Sequence, residues 1–296
     1  MGMKSLADVW SLSKELAQIK RMIPEIKPVS EYFDKSENPR ESLEKILDFV
    51  EKNPVTDDLL KISQTYDMIL RAEKNACEKG WNYACLEAVK EMGIKVKLIG
   101  EEHVPKGPAL YVSNHPYGLL DSAILIGSLG SLLNKKGEKL KAIAMNQLKF
   151  IKGIEEVLIF MHSTSPGSNL GPLKDSLKYL ENGGNLAFYP SRRMSGSRLK
   201  EYSWNDGIAR FISHSSYVVP MWFSGPNHEG LYNLLARNEK TEKLKRLVFL
   251  RGVWNKRGKK ITLNIGEPIY SGKLMDIKDN EEKIQYLRKS AEILKV

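Results

Sequence analysis

The sequence has few cysteines: its 296 residues include only two, Cys77 and Cys85. They are not spaced as CxxC and lie in a stretch with helical periodicity, so neither a disulfide framework nor a zinc site is supported. We therefore expect both cysteines to be packing residues and expect no bound metal or other cofactor.

A long hydrophobic run is also missing. The longest nearly apolar stretch, 123–133, is interrupted by Gly127 and Gly130 and is well short of the roughly 20 residues that a spanning helix needs. The N-terminal MGMKSLADVWSL lacks the order of a secretory signal, and Leu6 stands where a myristoylation motif needs Ser or Thr. We expect no transmembrane segment and a cytoplasmic location.

Acidic residues are fewer than basic ones: the sequence has 36 Asp and Glu and 46 Lys and Arg, which gives a net charge of +10. Such an excess is typical of proteins that meet an anionic partner, such as nucleic acid, a membrane surface or an acidic carrier or substrate, although it also occurs on merely soluble basic surfaces. The sequence has no clustered interleaving of aromatic and basic residues of the kind that stacks on nucleic-acid bases, and no recognisable nucleic-acid motif. We therefore expect no nucleic-acid partner.

Hydrophobic periodicity divides the chain in two. ESLEKILDFVEKN, DDLLKISQTYDMILRAEKNA and NYACLEAVKEMG have apolar residues at helical spacing. From Ile94 onward, short β-prone runs alternate with helix candidates, which predicts an α/β fold with a largely parallel central sheet flanked by helices. We expect a helical N-terminal region at 1–92 and an α/β domain at 93–296. The β-prone runs are IKVKLIG, ALYVSN, KAIAMN, VLIFMH, NLAFYPS, YVVPMWFSG and ITLNIGEPI.

The stretch YVSNHPYGLLDSAIL, 111–125, carries the most conspicuous histidine. In largely parallel sheets, sites form outside the carboxyl ends of the strands, and ALYVS places His115 at such an end. Asp121 is six positions further on, which would be about 240° of rotation in one helix. His115 should therefore lie in the turn before a helix, with Asp121 on the first turn folding back to a ring nitrogen.

A histidine oriented by a carboxylate is suited to act as a general base. The sequence has no GxSxG serine elbow, so the proton would come from a hydroxyl or amine of a substrate that attacks an activated acyl group. Backbone amides at the head of the Asp121 helix, or near Arg192, could stabilise the oxyanion. The alternative is a structural histidine at a strand end beside a helix-capping aspartate.

The same stretch carries a family resemblance. KVKLIGEEHVPKGPALYVSNHPYGLLDSAIL resembles the first motif of the lysophospholipid acyltransferase superfamily of glycerolipid acyltransferases, which is Asn-His, about four residues and Asp after a G-x-E-x-(I/V/L)-P lead. Asn-His-Pro-x-Gly-x-x-Asp is most similar to the hemolysin-like and ornithine-lipid-type branch. LKYLENGGNLAFYPS and YVVPMWFSGPNHEGLY are similar to the third and fourth blocks, so the resemblance covers about 95–232.

The resemblance implies transfer of a fatty acyl group from acyl-CoA or acyl carrier protein to the hydroxyl of a glycerol-phosphate or lysolipid acceptor. His115 would be the base and Asp121 its orienting partner. It also implies a peripheral protein of phospholipid biosynthesis at the inner, anionic face of the membrane. A catalytically inactive lipid-binding member and a thioester hydrolase are the alternatives.

The acceptor side departs from the family pattern. Arg192 and Arg193 follow the third block where the family usually has Gly and often Glu or Thr, and His162 stands near the place of a phosphate-binding arginine. Paired guanidinium groups can hold a phosphate bidentately, which suggests Ser191, Arg192, Arg193 and Arg198 as acceptor-binding residues. The alternative is that one arginine merely pairs with a nearby acid.

Two stretches combine apolar residues with Lys and Arg in a way that suits a helix lying on a membrane. They are LADVWSLSKELAQIKRMI, at 6–23, and GLYNLLARN, at 230–238, with the basic segment that follows it.

Overall fold

The computed structural model describes residues 38–162, 166–191, 194, 203–225 and 249–295. The two stretches predicted to lie on a membrane, 6–23 and 230–238, are outside the described residues.

Helices occupy the first described part of the chain. The side chain of Asn38 caps the first helix by accepting hydrogen bonds from the backbone N–H groups of Arg40 and Glu41, and a proline follows the cap. The third helix ends at Gly80, where φ is +82°, a conformation that favours glycine. The three stretches predicted to be helical in this part are confirmed as helical, but the second is divided at Lys61, where φ is +61°, so the described residues form four helices here. They are α1 Pro39–Lys52, α2 Pro54–Leu60, α3 Ile62–Lys79 and α4 Trp81–Glu91.

From Lys95 onward, strands and helices alternate. All seven predicted strands are present, and the two-residue β8 is an addition. The strands are β1 Lys95–Ile99, β2 Ala109–Ser113, β3 Leu140–Met145, β4 Leu158–Met161, β5 Asn185–Phe188, β6 Tyr217–Ser224, β7 Lys260–Ile265 and β8 Ile269–Tyr270. The helices are α5 Leu119–Ile124, α6 Gly130–Lys135, α7 Leu170–Glu181, α8 Ala209–Ile212, α9 Phe249–Trp254, α10 Ser271–Met275 and α11 Asn280–Glu292.

The strands form one sheet in the order β1-β7-β6-β2-β5-β3-β4, with β8 beside β6. The five strands from β6 to β4 are parallel, and β1 and β7 are parallel to each other. Antiparallel pairing occurs only where β6 meets β7 and β8, among the described strands. The prediction of a largely parallel sheet is confirmed. Because β2 lies between β6 and β5, the residues that follow β2 and β5 leave the sheet at the same edge.

Helices cover both faces of the sheet. Successive side chains of β2 point to opposite faces, so Tyr111 lies in one hydrophobic cluster and Leu110 and Val112 lie in the other. Helices α3, α4 and α5 contribute to the Tyr111 cluster, whereas α7, α8 and α11 cover the opposite face. The helical region therefore shares a core with the sheet. The division into domains at residue 92 stays a prediction.

Candidate active site

Asn114 determines where the chain leaves the sheet after β2. Its buried side chain donates from Nδ2 to the Phe223 carbonyl over 3.0 Å, and its Oδ1 accepts from the Phe223 N–H over 2.7 Å. The side-chain amide thus takes the place of the backbone amide of a paired strand residue, and Asn114 extends the pairing of β2 with β6 by one position. The chain is therefore anchored to β6 at the residue immediately before His115.

His115 and Asp121 are in contact. The ring Nδ1 lies 2.8 Å from Asp121 Oδ2, and the same oxygen accepts the Tyr117 N–H over 2.9 Å. The His115 side chain is 19% exposed and that of Asp121 is 0% exposed, so only the histidine can reach a substrate. This is the contact that the six-residue spacing predicts.

Gly118 makes the tight turn between the two residues possible. Its φ is +66°, and a Cβ at this position would collide with the Met194 sulfur. The positive φ favours glycine, because L-residues rarely adopt this backbone conformation. The Asn-His-Pro-x-Gly-x-x-Asp pattern thus contains the residue that lets the helix start where Asp121 can reach back.

Burial raises the pKa of the Asp121 carboxyl, whereas the His115 contact and the backbone N–H groups of Tyr117 and Gly118 lower it. The ionised carboxylate therefore depends on these donors. When Asp121 is ionised it accepts the proton on Nδ1, which leaves Nε2 as the acceptor nitrogen of the ring. The Tyr117 amide is engaged by the Asp121 carboxylate. The oxyanion donors expected at the head of this helix or near Arg192 stay a prediction.

Tyr189 is a site residue that sequence reasoning missed. It follows β5 directly, and its ring stacks on the imidazole of His115 with centroids 4.3 Å apart and an interplanar angle of 19°. The register explains the contact, because Phe188 of β5 pairs with Val112 of β2. Only the order of the strands brings these two chain ends together, so no signal local to NLAFYPS indicates it.

The proposed acceptor residues are only partly described. Ser191 is buried two positions after Tyr189, whereas Arg192, Arg193 and Arg198 lie outside the described residues. His162 follows β4, and its backbone N–H and carbonyl are both bound by the Asn169 side chain over 2.6 and 2.8 Å.

An apolar cavity of about 90 Å³ lies beside the helix that carries Asp121. Met68 and Ala88 line it from the helical region, and Leu119 and Ala123 line it from α5. Cys85 also lines the cavity, and burial raises the pKa of its thiol to about 12. The cavity therefore offers carbon surface and an un-ionised thiol.

Within the described ranges, no group of three or more His, Cys, Asp or Glu side chains is placed to hold a metal ion. No helix in that part of the chain is both long and apolar enough to cross a membrane.

No protein-family model matches the sequence, and no curated protein matches it. Among solved structures, the chain overlays on the 1-acyl-sn-glycerophosphate (LPA) acyltransferase PlsC from Thermotoga maritima with a TM-score of 0.49 and 15% sequence identity. The overlay covers 99% of this chain and 96% of that chain. An overlay this weak says nothing about function, which has to be inferred from the side chains of the site.

Proposed function

We propose that this protein is an O-acyltransferase that moves a fatty acyl group from acyl-CoA or acyl carrier protein to the hydroxyl of a glycerol-phosphate or lysolipid. The observation that carries the proposal is the 2.8 Å contact between His115 Nδ1 and the buried Asp121 carboxylate, at the carboxyl end of a central strand. A buried acid behind a partly exposed imidazole is the arrangement of an oriented general base.

The proposed reaction begins when Nε2 of His115 takes the proton of the acceptor hydroxyl. The oxygen attacks the thioester carbonyl, and the tetrahedral intermediate collapses to an ester by breaking the carbon–sulfur bond. The imidazolium, stabilised by Asp121, returns its proton to the departing thiolate. A thiol is a good leaving group, so these steps use no metal or redox cofactor.

The apolar cavity is the second observation in favour of a fatty acyl substrate. It adjoins α5, the helix that carries Asp121, and Ser122 at its edge follows the catalytic acid directly. A hydrocarbon chain placed there would exchange water for carbon contacts, which is favourable by about 0.8 kcal/mol per methylene. We assign the cavity to the acyl chain of the donor.

The acceptor would bind at the ends of β2 and β5. Ser191 follows β5 at the edge of the sheet where His115 follows β2. Arg192, Arg193 and Arg198 would complete the acceptor site, because their charges suit a phosphate. The net charge of +10 supports association with the anionic inner face of the membrane, where such acceptors are found.

A screen of donors against acceptors tests the proposal. Purified protein is given acyl-CoA or acyl carrier protein thioesters together with glycerol 3-phosphate, lysophospholipids or lyso-ornithine lipid, and products are identified by mass spectrometry. His115→Ala should abolish product. His214→Ala is the matched control, because His214 Nδ1 also lies 2.7 Å from a carboxylate, that of Glu181, but on the opposite face of the sheet from the cavity.

Each outcome separates one candidate from the others. An acylated lipid that forms with the His214 variant and not with the His115 variant supports the transferase. Thioester loss without acylated lipid would indicate a hydrolase. An unchanged thioester with every acceptor would indicate a lipid-binding protein without turnover, and either of these two results overturns the proposal.

A further inference from the structure

His115 is held by two different kinds of contact. The hydrogen bond to Asp121 fixes one atom of the ring, Nδ1. With Cβ and Nδ1 held in place, the ring can still rotate about the line that joins these two atoms, and this rotation changes the direction of Nε2. The stacked ring of Tyr189, 4.3 Å away and inclined by only 19°, removes that rotation because the two flat rings lie face to face.

Tyr189 is itself held firmly. It is buried, with 6% of its surface exposed, and it lies between β5 and Pro190, whose carbonyl accepts the Asn205 N–H over 3.0 Å. Burial raises the pKa of the Tyr189 hydroxyl, the charge of Asp121 adds to the rise, and the Ser122 hydroxyl opposes it. The phenol is therefore neutral.

We propose that Tyr189 is a positioning residue that fixes the plane of the His115 ring, so that Nε2 stays directed at the acceptor hydroxyl. The catalytic consequence rests on the proposed function, whereas the geometric consequence does not. A general base works only when the nitrogen and the proton that it takes are within hydrogen-bond reach. A misplacement of about 1 Å can cost on the order of 100-fold in rate.

Two variants of Tyr189 and one control distinguish the effect of the aromatic ring from that of the hydroxyl and from that of lost volume. Tyr189→Phe keeps the stacked ring, and Tyr189→Leu removes the ring but leaves an apolar side chain. Tyr111→Leu is the matched control, because Tyr111 is also buried in the same hydrophobic cluster and lies within β2, where it makes no ring contact with His115 that the structure shows. If Tyr189→Leu fails to fold, Tyr189→Met replaces it, because methionine adapts to irregular space.

We expect Tyr189→Leu to lower kcat by about 10- to 100-fold while KM for the acceptor changes less than about twofold. Tyr189→Phe should restore kcat to within about threefold of the wild type, since the stack remains. Tyr111→Leu should lower thermal stability to a similar extent as Tyr189→Leu and leave kcat near the wild-type value. A loss of kcat in Tyr111→Leu as large as in Tyr189→Leu would overturn the proposal.

Proton NMR of the histidine rings tests the geometry without any substrate. Protons above the face of an aromatic ring resonate upfield, so the His115 ring signals, identified by their absence in His115→Ala, should lie upfield of the other histidines. The upfield position should persist in Tyr189→Phe and disappear in Tyr189→Leu. Signals that do not move in Tyr189→Leu overturn the positioning role, even if the acyl transfer is found.

Discussion

At the scale of single residues, the candidate site consists of a histidine that reaches the surface and a carboxyl group that does not. Asp121 is 0% exposed, so its charge acts on His115 and on the other buried groups around it rather than on solvent. Taking a carboxylate out of water destabilises the folded state unless donors compensate. The function proposed for Asp121 and the stability of the fold therefore make opposite demands on this residue.

We predict that Asp121→Asn lowers kcat by about 100- to 10,000-fold, because an amide keeps the shape of the side chain but cannot stabilise the imidazolium. KM should change little, since Asp121 is too buried to touch substrate. Steady-state kinetics on the donor and acceptor pair found in the screen measures both values. A variant with wild-type kcat would remove Asp121 from the mechanism.

The same variant should gain stability relative to the wild type as the pH rises. Burial raises the pKa of Asp121, so the folded chain binds this proton more tightly than the unfolded chain does. The contribution of Asp121 to the stability of the wild type therefore falls as the pH increases above about 4, the pKa of an unperturbed aspartate. Asparagine does not titrate, so the variant has no such loss. Urea unfolding of both proteins between about pH 4 and neutrality measures the difference. A gain that shrinks with rising pH would contradict the prediction.

At the scale of secondary-structure elements, one asparagine joins two strands beyond the end of the sheet. Asn114 makes two hydrogen bonds to the backbone of Phe223 in β6. A second asparagine, Asn169, makes the same pair of bonds to the backbone of His162 at the edge of the sheet. Asn114 is fully buried, whereas Asn169 is only half-buried.

We predict that Asn114→Ala lowers the free energy of unfolding by about 2 to 4 kcal/mol, because it leaves a buried N–H and a buried carbonyl without these partners. Asn169→Ala should cost about 1 kcal/mol or less, since water can replace the lost amide there. Urea denaturation of both variants provides the comparison. Equal losses would mean that burial does not govern the strength of this pairing.

At the scale of the whole molecule, the apolar cavity exists only because the helical region packs on the sheet. Met68, Ala88 and Met92 line it from α3, α4 and the residue after α4, and Leu119 and Ala123 face them from α5. An acyl chain bound there would touch both parts of the chain. The helical region would then determine the length of chain that the protein accepts.

We predict that Ala88→Leu fills part of the cavity and shifts donor preference towards shorter acyl chains. The added carbons should also raise the free energy of unfolding by about 1 kcal/mol, as filling a cavity commonly does. Ala76→Leu is the matched control: Ala76 packs against the same core from α3 but does not line the cavity. Chain-length preference is measured with a series of acyl thioesters. An unchanged preference in Ala88→Leu would mean that the cavity does not hold the acyl chain.

The sequence by itself determined the helices before Ile94, the seven strands after it and the turn that brings Asp121 back to His115. These features are local, because periodicity, glycine and short spacing act within one or two turns of chain. Tertiary structure alone decided the stack of Tyr189 on His115, the bonds of Asn114 to Phe223 and the cavity beside α5. Each of these joins residues far apart in the chain, and the order and register of the strands, which no local pattern encodes, bring them together.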